Sequence, residues 1–216
     1  FGICLDLSVR FKLLPDPDTA LEIYPGDWVP NYLDNGKTFF DLYLPKFMYV
    51  RYGVRGDPFF AKFGSINDFT VGNGFLMNNY ANTSFLPTLR ISGLHLGFDG
   101  TMLNFPYVGF EALTGNLAQF DVIGARLFVR PLAFLKSSVV KDMQVGGSII
   151  TDTNPSLYSS TNPGLAPVTM GGLDIVVPVI QNKVFPLAVF TDFAFQTQRW
   201  GWMAGFGGKL AGIIVY

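Results

Sequence analysis

Residues 5 to 13 read Leu5-Asp6-Leu7-Ser8-Val9-Arg10-Phe11-Lys12-Leu13. Every second residue in this stretch is apolar, and the residues between them are charged or hydroxylic. Successive side chains of a β-strand point to opposite faces, so this alternation predicts a strand with one apolar and one polar face. Residues 187 to 196 divide in the same way, with Asp192 on the more polar side. The pattern predicts β-structure towards both ends of the chain.

Segments of this kind recur throughout the sequence, and we expect about eleven strands. The other segments lie at about residues 38–52, 58–66, 87–98, 101–113, 118–130, 142–151, 168–180, 200–206 and 209–216. Turn-forming residues separate many of them: Asp99-Gly100, Thr114-Gly115-Asn116, Gln181-Asn182-Lys183 and Gly207-Gly208. Consecutive hairpins predict an all-β antiparallel meander. The apolar phase slips at Gly93, where a β-bulge would restore the register.

The composition is unusual for a protein surface that faces water. Charged residues make up 14% of the chain and apolar residues 49%, whereas an ordinary soluble domain has about 25% charged residues. Lys and Arg (15) do not exceed Asp and Glu (16), so no nucleic-acid partner is predicted. No uninterrupted stretch of about 20 apolar residues predicts a membrane-spanning helix.

The two sides of the predicted strands favour a membrane barrel. One side carries Leu, Val, Ile, Phe and Trp, and the other carries isolated charges among Gly, Ala and Ser. This division suits a lipid-facing exterior around a partly polar lumen, and a transmembrane-type barrel of about 10–12 strands is expected. Aromatic residues near strand ends, such as Trp200 and Trp202, would form interfacial girdles. The alternative is a soluble barrel or sandwich with an aromatic core, and the prolines at 45, 106, 131, 178 and 186 weigh against regular strands.

Three long polar connections, residues 14–37, 67–86 and 152–167, all follow odd-numbered predicted strands. Antiparallel strands alternate in direction, so these connections should emerge at one rim. Within the second, Val71-Gly72-Asn73-Gly74-Phe75 is interpreted as a turn, because it lacks the third glycine and the Lys of a nucleotide-binding loop. The Asn-rich residues 78–82 are interpreted as ordinary loop.

The chain resembles bacterial outer-membrane β-barrel proteins of an uncharacterised, porin-like type. The final residues, Leu210-Ala211-Gly212-Ile213-Ile214-Val215-Tyr216, are similar to the insertion signal of that family, although Gly212 departs from its apolar alternation. The stretches Asp68 to Tyr80 and Thr151 to Pro155 also look like such barrels. The resemblance implies a barrel architecture and a location in the bacterial outer membrane, and it implies no substrate.

The candidate site residues are the charges on the inward phase of the predicted strands. In a wide barrel they would line a polar path for solutes, and in a narrow one they would pair with one another. These candidate lumen-lining residues are Asp6, Arg10, Lys12, Asp41, Arg90, Glu111, Arg126, Arg130, Asp174, Asp192 and Lys209.

No catalytic group, metal site or cofactor is predicted. The chain has one histidine, His95, and one cysteine, Cys4, and no motif with metal-ligand spacing. Ser92, His95 and Asp99 have the residue types of an acyl-transfer group, but Ser92 and His95 would point to opposite faces of a regular strand. A structural histidine is the preferred interpretation, and the protein is not expected to be an enzyme.

We therefore expect one β-barrel domain over residues 1–216, in contact with the lipid bilayer, that allows passive diffusion of small polar solutes. Two alternatives stay open: a soluble barrel or sandwich that binds an apolar ligand or a sugar, and a plugged outer-membrane barrel without transport. Because the chain begins at Phe1 without Met or a charged leader, it would be a mature product, an excised piece or a fragment. The sequence leaves the oligomeric state and the closure of the barrel undetermined.

Overall fold

A computed structural model describes residues 1–7, 9–13, 21–23, 25–30, 38–39, 43, 46–86, 89–137, 139–158, 164–182, 184–210 and 213–215. The chain forms two compact units, Phe1–Val50 and Arg51–Tyr216. A compact unit is defined by its internal contacts and need not be an independent folding domain, so the single domain over residues 1–216 stays a prediction.

The first unit contains strands β1 (Gly2–Leu5), β2 (Phe11–Leu13) and β3 (Leu21–Ile23), and a 3-10 helix at Pro25–Asp27. β2 and β3 pair antiparallel, with Lys12 opposite Glu22. The predicted continuous strand over residues 5–13 is therefore wrong, because residues 6, 7, 9 and 10 lie outside any strand. Alternation predicts which side chains share a face. It does not show whether a neighbouring strand is present to form the backbone hydrogen bonds that a strand needs.

The alternation itself persists through this interrupted region. Phe1, Ile3, Leu5 and Leu7 are exposed, whereas Gly2, Cys4 and Asp6 are half-buried. The apolar side of the segment is thus the exposed side. This is the reverse of what a water-facing surface requires.

The second unit is an antiparallel meander, and the last two residues of β4 (Phe47–Tyr52) belong to it. The strands that follow are β5 (Phe59–Gly64), β6 (Gly93–Asp99), β7 (Val108–Thr114), β8 (Val122–Val129), β9 (Gln144–Asp152), β10 (Val168–Ile180), β11 (Leu187–Gln196), β12 (Arg199–Leu210) and β13 (Ile213–Val215). These ten strands, β4 to β13, succeed one another in chain order in one sheet. Among the described residues no pairing joins β13 to an earlier strand than β12, so the sheet is open and is not closed into a barrel.

The predicted strands agree best with the structure where the alternation is long. β10 and β11 have the predicted bounds of 168–180 and 187–196. Other predicted segments are too long. The one at 101–113 overlaps a 3-10 helix at Gly100–Leu103, and residues 89–92 of the one at 87–98 lie outside β6, which pairs regularly on both sides without a bulge. The turn predicted at Gly207-Gly208 is wrong, because β12 continues through both residues in register with β11.

The segment of residues 65–86, which is the first part of the connection from β5 to β6, folds onto one face of this sheet. We call that side the covered face. Phe69 and Tyr80 form a β-bridge, and the Val71 amide donates to the Met77 carbonyl (3.0 Å), so the segment is a small hairpin. Its turn at Gly72 and Gly74, both with positive φ, is the turn predicted from the sequence.

The core of the unit lies between this hairpin and the covered face. Ile66, Phe69 and Val71 from the segment pack with Leu113 of β7 and Ile150 of β9. Phe69 and Ile66 are fully buried, at 0% exposure. The side chains of this core make up most of the buried apolar residues of the unit. Their burial is therefore its main hydrophobic stabilisation.

Asn82 anchors the return of the segment to the sheet. Its Oδ1 accepts from the Ile66 amide (2.8 Å), and its Nδ2 donates to the carbonyls of Gly64, Ile91 and Gly115 at 3.3, 3.3 and 2.8 Å. The side chain is 5% exposed. One buried amide thus bonds to backbone groups of three parts of the chain. The Asn-rich stretch was interpreted as ordinary loop, and the structure gives this one asparagine a structural role.

The opposite side of the sheet, the uncovered face, is apolar from β5 to β12. Its most exposed side chains are Phe63, Leu127, Ile149, Leu173, Phe195, Trp200, Trp202 and Phe206, each between 48% and 73% exposed. Strand register places no Asp, Glu, Lys or Arg on this face of the described strands β5 to β12. Contiguous exposed apolar surfaces mark places where a protein meets another protein or a membrane.

Two of the three predicted long connections leave the second unit at the same end. Residues 65–92 and 153–167 follow β5 and β9, which run in the same direction. We call this end the long-loop rim; it also holds residues 115–121. The third connection, residues 14–37, belongs to the first unit and contains β3, so it is not a single loop, and most of its residues lie outside the described ranges. In the described part of the chain, no helix is long and apolar enough to cross a membrane.

Replacement of Phe69 by Ala should lower the free energy of unfolding by about 3 to 5 kcal/mol, because it leaves a cavity where segment and sheet meet. Urea unfolding of the refolded protein, followed by tryptophan fluorescence, measures this change. Phe134→Ala is the matched control, because Phe134 is 67% exposed in the connection between β8 and β9. Equal losses for the two variants would show that segment 65–86 does not depend on this contact.

Candidate functional site

The centre of the covered face holds a buried ion pair between side chains of β8 and β10, two strands separated by β9. Arg126 of β8 donates through Nε to Oδ2 of Asp174 (3.0 Å) and through a terminal nitrogen to Oδ1 (2.5 Å). The two side chains are 6% and 4% exposed. A planar guanidinium bonded at two points to a carboxylate is the strongest arrangement that such a pair can adopt. Two of the predicted lumen-lining charges are thus paired with each other.

Space for this pair comes from β9, the strand between the two partners. Gly146 faces Asp174 across the β9–β10 ladder. A Cβ at Gly146 would lie 2.4 Å from the Asp174 Oδ2 and 2.8 Å from an Arg126 nitrogen. The glycine is therefore required by the side chains that cross above it, and not by its own backbone conformation.

A second carboxylate lies beside the pair. Asp192 of β11 is the register partner of Asp174, is 6% exposed, and accepts a hydrogen bond from Nδ2 of Asn73 (2.9 Å) at the tip of segment 65–86. Arg126, Asp174 and Asp192 together have a formal charge of −1. The hairpin tip covers this charge, because Gly72 also lies against Arg126 and Asp174.

Charged side chains of β5 and of the β4–β5 connection also bind segment 65–86. Glu111 of β7 pairs with Arg55 (3.4 Å), and Arg55 also donates to the Thr70 carbonyl of the segment. Lys62 of β5 donates to Oδ1 of Asn67 (3.1 Å) and lies 3.7 Å from Asp68. The polar groups of the covered face are thus used to hold the segment in place.

Arg130 forms a separate pair at the rim opposite the long-loop rim. It bonds to both carboxylate oxygens of Asp99 (3.1 and 2.5 Å) and to the Pro106 carbonyl (3.0 Å). Its guanidinium also lies over the ring of Phe128, 5.1 Å from the centroid. This pair fastens the β6–β7 connection to the end of β8.

For the remaining predicted lumen-lining residues, the structure gives positions along the chain and exposure, which do not test whether these residues line a lumen. Asp6, Arg10 and Lys12 belong to the first unit, where Asp6 is half-buried and Arg10 is exposed. Arg90 precedes β6 and is half-buried, and Lys209 lies on β12 opposite Ile214. Asp41 lies outside the described residues. That any of these charges lines a lumen stays a prediction.

The residues considered for acyl transfer do not form a catalytic group. His95 is 2% exposed and lies between the rings of Phe60 and Phe69, with both ring centroids at 4.7 Å. Ser92 is exposed, and the Asp99 carboxylate is bound by Arg130. In the described part of the chain no group of three His, Cys, Asp or Glu could hold a metal ion.

Several residues of this site were missed from the sequence. The inward position of Lys62 could have been predicted, because residues 60, 62 and 64 lie on the inward side of a correctly predicted strand. Asn73, Arg55 and Asn82 lie in connections, where no periodicity indicates which way a side chain points. Their roles depend on contacts between residues as far apart as 119 positions in the chain, such as Asn73 and Asp192.

No protein-family model, curated protein or solved structure matches this chain.

Gly146→Ala should destabilise the protein by about 1 to 3 kcal/mol, because the added methyl displaces the Asp174 carboxylate from Arg126. Gly147→Ala is a matched control on the adjacent residue: its Cβ would meet only the Leu173 side chain, at 3.7 Å. Both free energies of unfolding can be read from urea titrations. A loss for Gly147→Ala as large as that for Gly146→Ala would mean that glycine itself, and not the ion pair, is needed in β9.

Proposed function

We propose that this chain is a porin-like β-barrel protein of the bacterial outer membrane, or a piece of one, and that segment 65–86 narrows the path through it for small polar solutes. The observation that carries the proposal is the contrast between the two faces of the sheet. One face is apolar and uncovered from β5 to β12, and the other holds paired charges beneath a folded segment. Transport would be passive diffusion, with no covalent chemistry.

The composition of the uncovered face supports contact with lipid. A soluble sheet with one solvated face would carry Lys, Glu, Thr or Gln at alternate positions. The corresponding positions here are Leu, Val, Ile, Phe, Trp, Ala and Gly with a few Thr. Near the β11–β12 turn, the rings of Phe193 and Trp200 stack with centroids 5.8 Å apart, and Trp202 is exposed beside them. Such a group of aromatic rings suits the headgroup region of a bilayer.

The polar side chains of the uncovered face have partners inside the protein. Thr191 donates to the Met203 carbonyl (3.1 Å) and accepts from the Trp202 indole nitrogen (2.9 Å). The hydroxyls of Thr151 and Thr169 lie 2.9 Å apart across β9 and β10. In hydrocarbon a hydroxyl without a partner is costly, whereas water would make these bonds unnecessary.

A plugged barrel without transport is the second candidate, and the pairing of Arg126 with Asp174 favours it. Charges that attract passing solutes need access to water, and these two side chains are buried beneath segment 65–86. The two candidates agree on the membrane and differ in whether a continuous polar path passes the segment. Conductance distinguishes them.

Leu173→Arg should destabilise the protein folded in lipid vesicles by about 2 to 4 kcal/mol, because Leu173 lies mid-strand on the uncovered face. Leu103→Arg is the control: Leu103 is 69% exposed, but it lies in the 3-10 helix between β6 and β7. Unfolding of both variants by denaturant in vesicles measures the difference. If Leu173→Arg is as stable as the parent protein, the uncovered face does not meet lipid.

Replacement of residues 70–79 by a short Gly-Ser linker should increase single-channel conductance in a planar bilayer, because it removes the hairpin tip that covers Arg126 and Asp174. The parent protein should show small discrete steps. An equal shortening within residues 131–143, at the opposite rim, is the control and should leave the steps unchanged. A folded parent and a folded shortened variant that both fail to conduct would reject the transport proposal and leave the plugged barrel.

A further inference from the structure

A pocket of about 160 Å³ opens at the long-loop rim, away from the buried ion pair. It lies between the return of segment 65–86 and the rim ends of β8 and β9. Two carboxylates, those of Asp121 and Asp152, line it together with three aromatic rings, those of Tyr80, Phe85 and Tyr158. None of these five side chains contacts Arg126, Asp174 or Asp192 in the bonds described above.

The pocket carries negative charge without a basic residue in its lining. Among the described residues that line it there is no Lys, Arg or His. Asp121 is 4% exposed and accepts from the Val122 amide (2.7 Å), and Asp152 accepts from the Asn154 amide (3.1 Å). These backbone donors hold both carboxylates in place but bring no positive charge to balance them.

The aromatic rings form the wall of the pocket. Phe85 and Tyr158 are in contact, with centroids 4.8 Å apart, and both are more than a third exposed. Asn116 donates to the Tyr158 hydroxyl (2.7 Å) and so holds that ring in position. Burial raises the pKa of Tyr80 and of Tyr158, and the neighbouring Asp121 carboxylate raises both pKa values further. The phenols are therefore neutral at neutral pH and present uncharged π faces.

We propose that this pocket binds a small organic cation of the substituted-ammonium class. A cation over an aromatic face is attracted by the ring quadrupole, and the attraction is strongest where the site is partly desolvated. The two carboxylates add direct charge attraction, and the volume suits a head group of a few heavy atoms. An anion would be repelled, and a neutral polyol would gain nothing from the net charge. Binding needs only the pocket and does not depend on passage through the protein.

Choline is a suitable probe, and 3,3-dimethyl-1-butanol is its neutral counterpart of the same shape. Both are titrated into the full chain refolded in detergent, at ionic strength held constant with NaCl, and binding is followed by calorimetry or ligand-observed NMR. Choline should bind at least about tenfold more tightly than the alcohol, which corresponds to about 1.4 kcal/mol.

Asp121→Asn and Asp152→Asn should each weaken choline binding about fivefold or more, while keeping the oxygen that accepts from the backbone. Asp142→Asn is the control, because it removes the same charge at the opposite rim, where Asp142 lies 3.9 Å from Lys141. Phe85→Leu tests the aromatic wall without touching a carboxylate. The heat-dependent shift in gel mobility confirms that each variant is folded.

Equal affinity for choline and for the neutral alcohol would overturn the proposal and leave an apolar cleft. Absence of choline binding to the folded parent protein would also overturn it, whatever the conductance of the protein. A loss of binding in Asp142→Asn as large as in Asp121→Asn would assign the effect to overall charge and not to this pocket.

Discussion

The contact between segment 65–86 and the covered face is the interaction on which the rest of the second unit depends. Phe69 and Ile66 supply the fully buried apolar side chains. The Asn82 amide bonds to backbone groups of β5, of the segment, of the residues before β6 and of the residue after β7. Without the segment, Leu113, Ile150 and the Arg126–Asp174 pair would face open space. A single antiparallel sheet has no core of its own, so one of its faces must be covered by something.

Glycines on the strands and at the end of β7 make this cover fit closely. Leu76 lies so near Gly172 that a Cβ there would come within 2.8 Å, and the Tyr80 hydroxyl lies still nearer to Gly115. Gly146 likewise leaves room for the ion pair. The alternation that was interpreted as polar against apolar is therefore also an alternation of small against large. The covered face gains density because its own residues are small where the segment is bulky.

The strands were predictable where local rules and tertiary structure agree. β10 and β11 alternate over ten or more residues and are bounded by turn-forming residues, so their bounds followed from the sequence. Residues 5–13 alternate just as well but are not one strand, because pairing depends on a neighbour that the pattern does not specify. Gly207-Gly208 has turn composition, yet its pairing with β11 keeps both residues extended.

The sequence by itself determined the class of structure, the antiparallel order and the division of each strand into an apolar side and a mixed side, because side-chain alternation is a local property of the chain. It also placed Arg126, Asp174 and Asp192 on one face, since all three lie on correctly predicted strands. Only the tertiary structure decided that Arg126 pairs with Asp174 across an intervening glycine, that Asn73 reaches Asp192, and that residues 65–86 cover the charges. These contacts join residues 48 to 119 positions apart, and no local periodicity carries information over such distances.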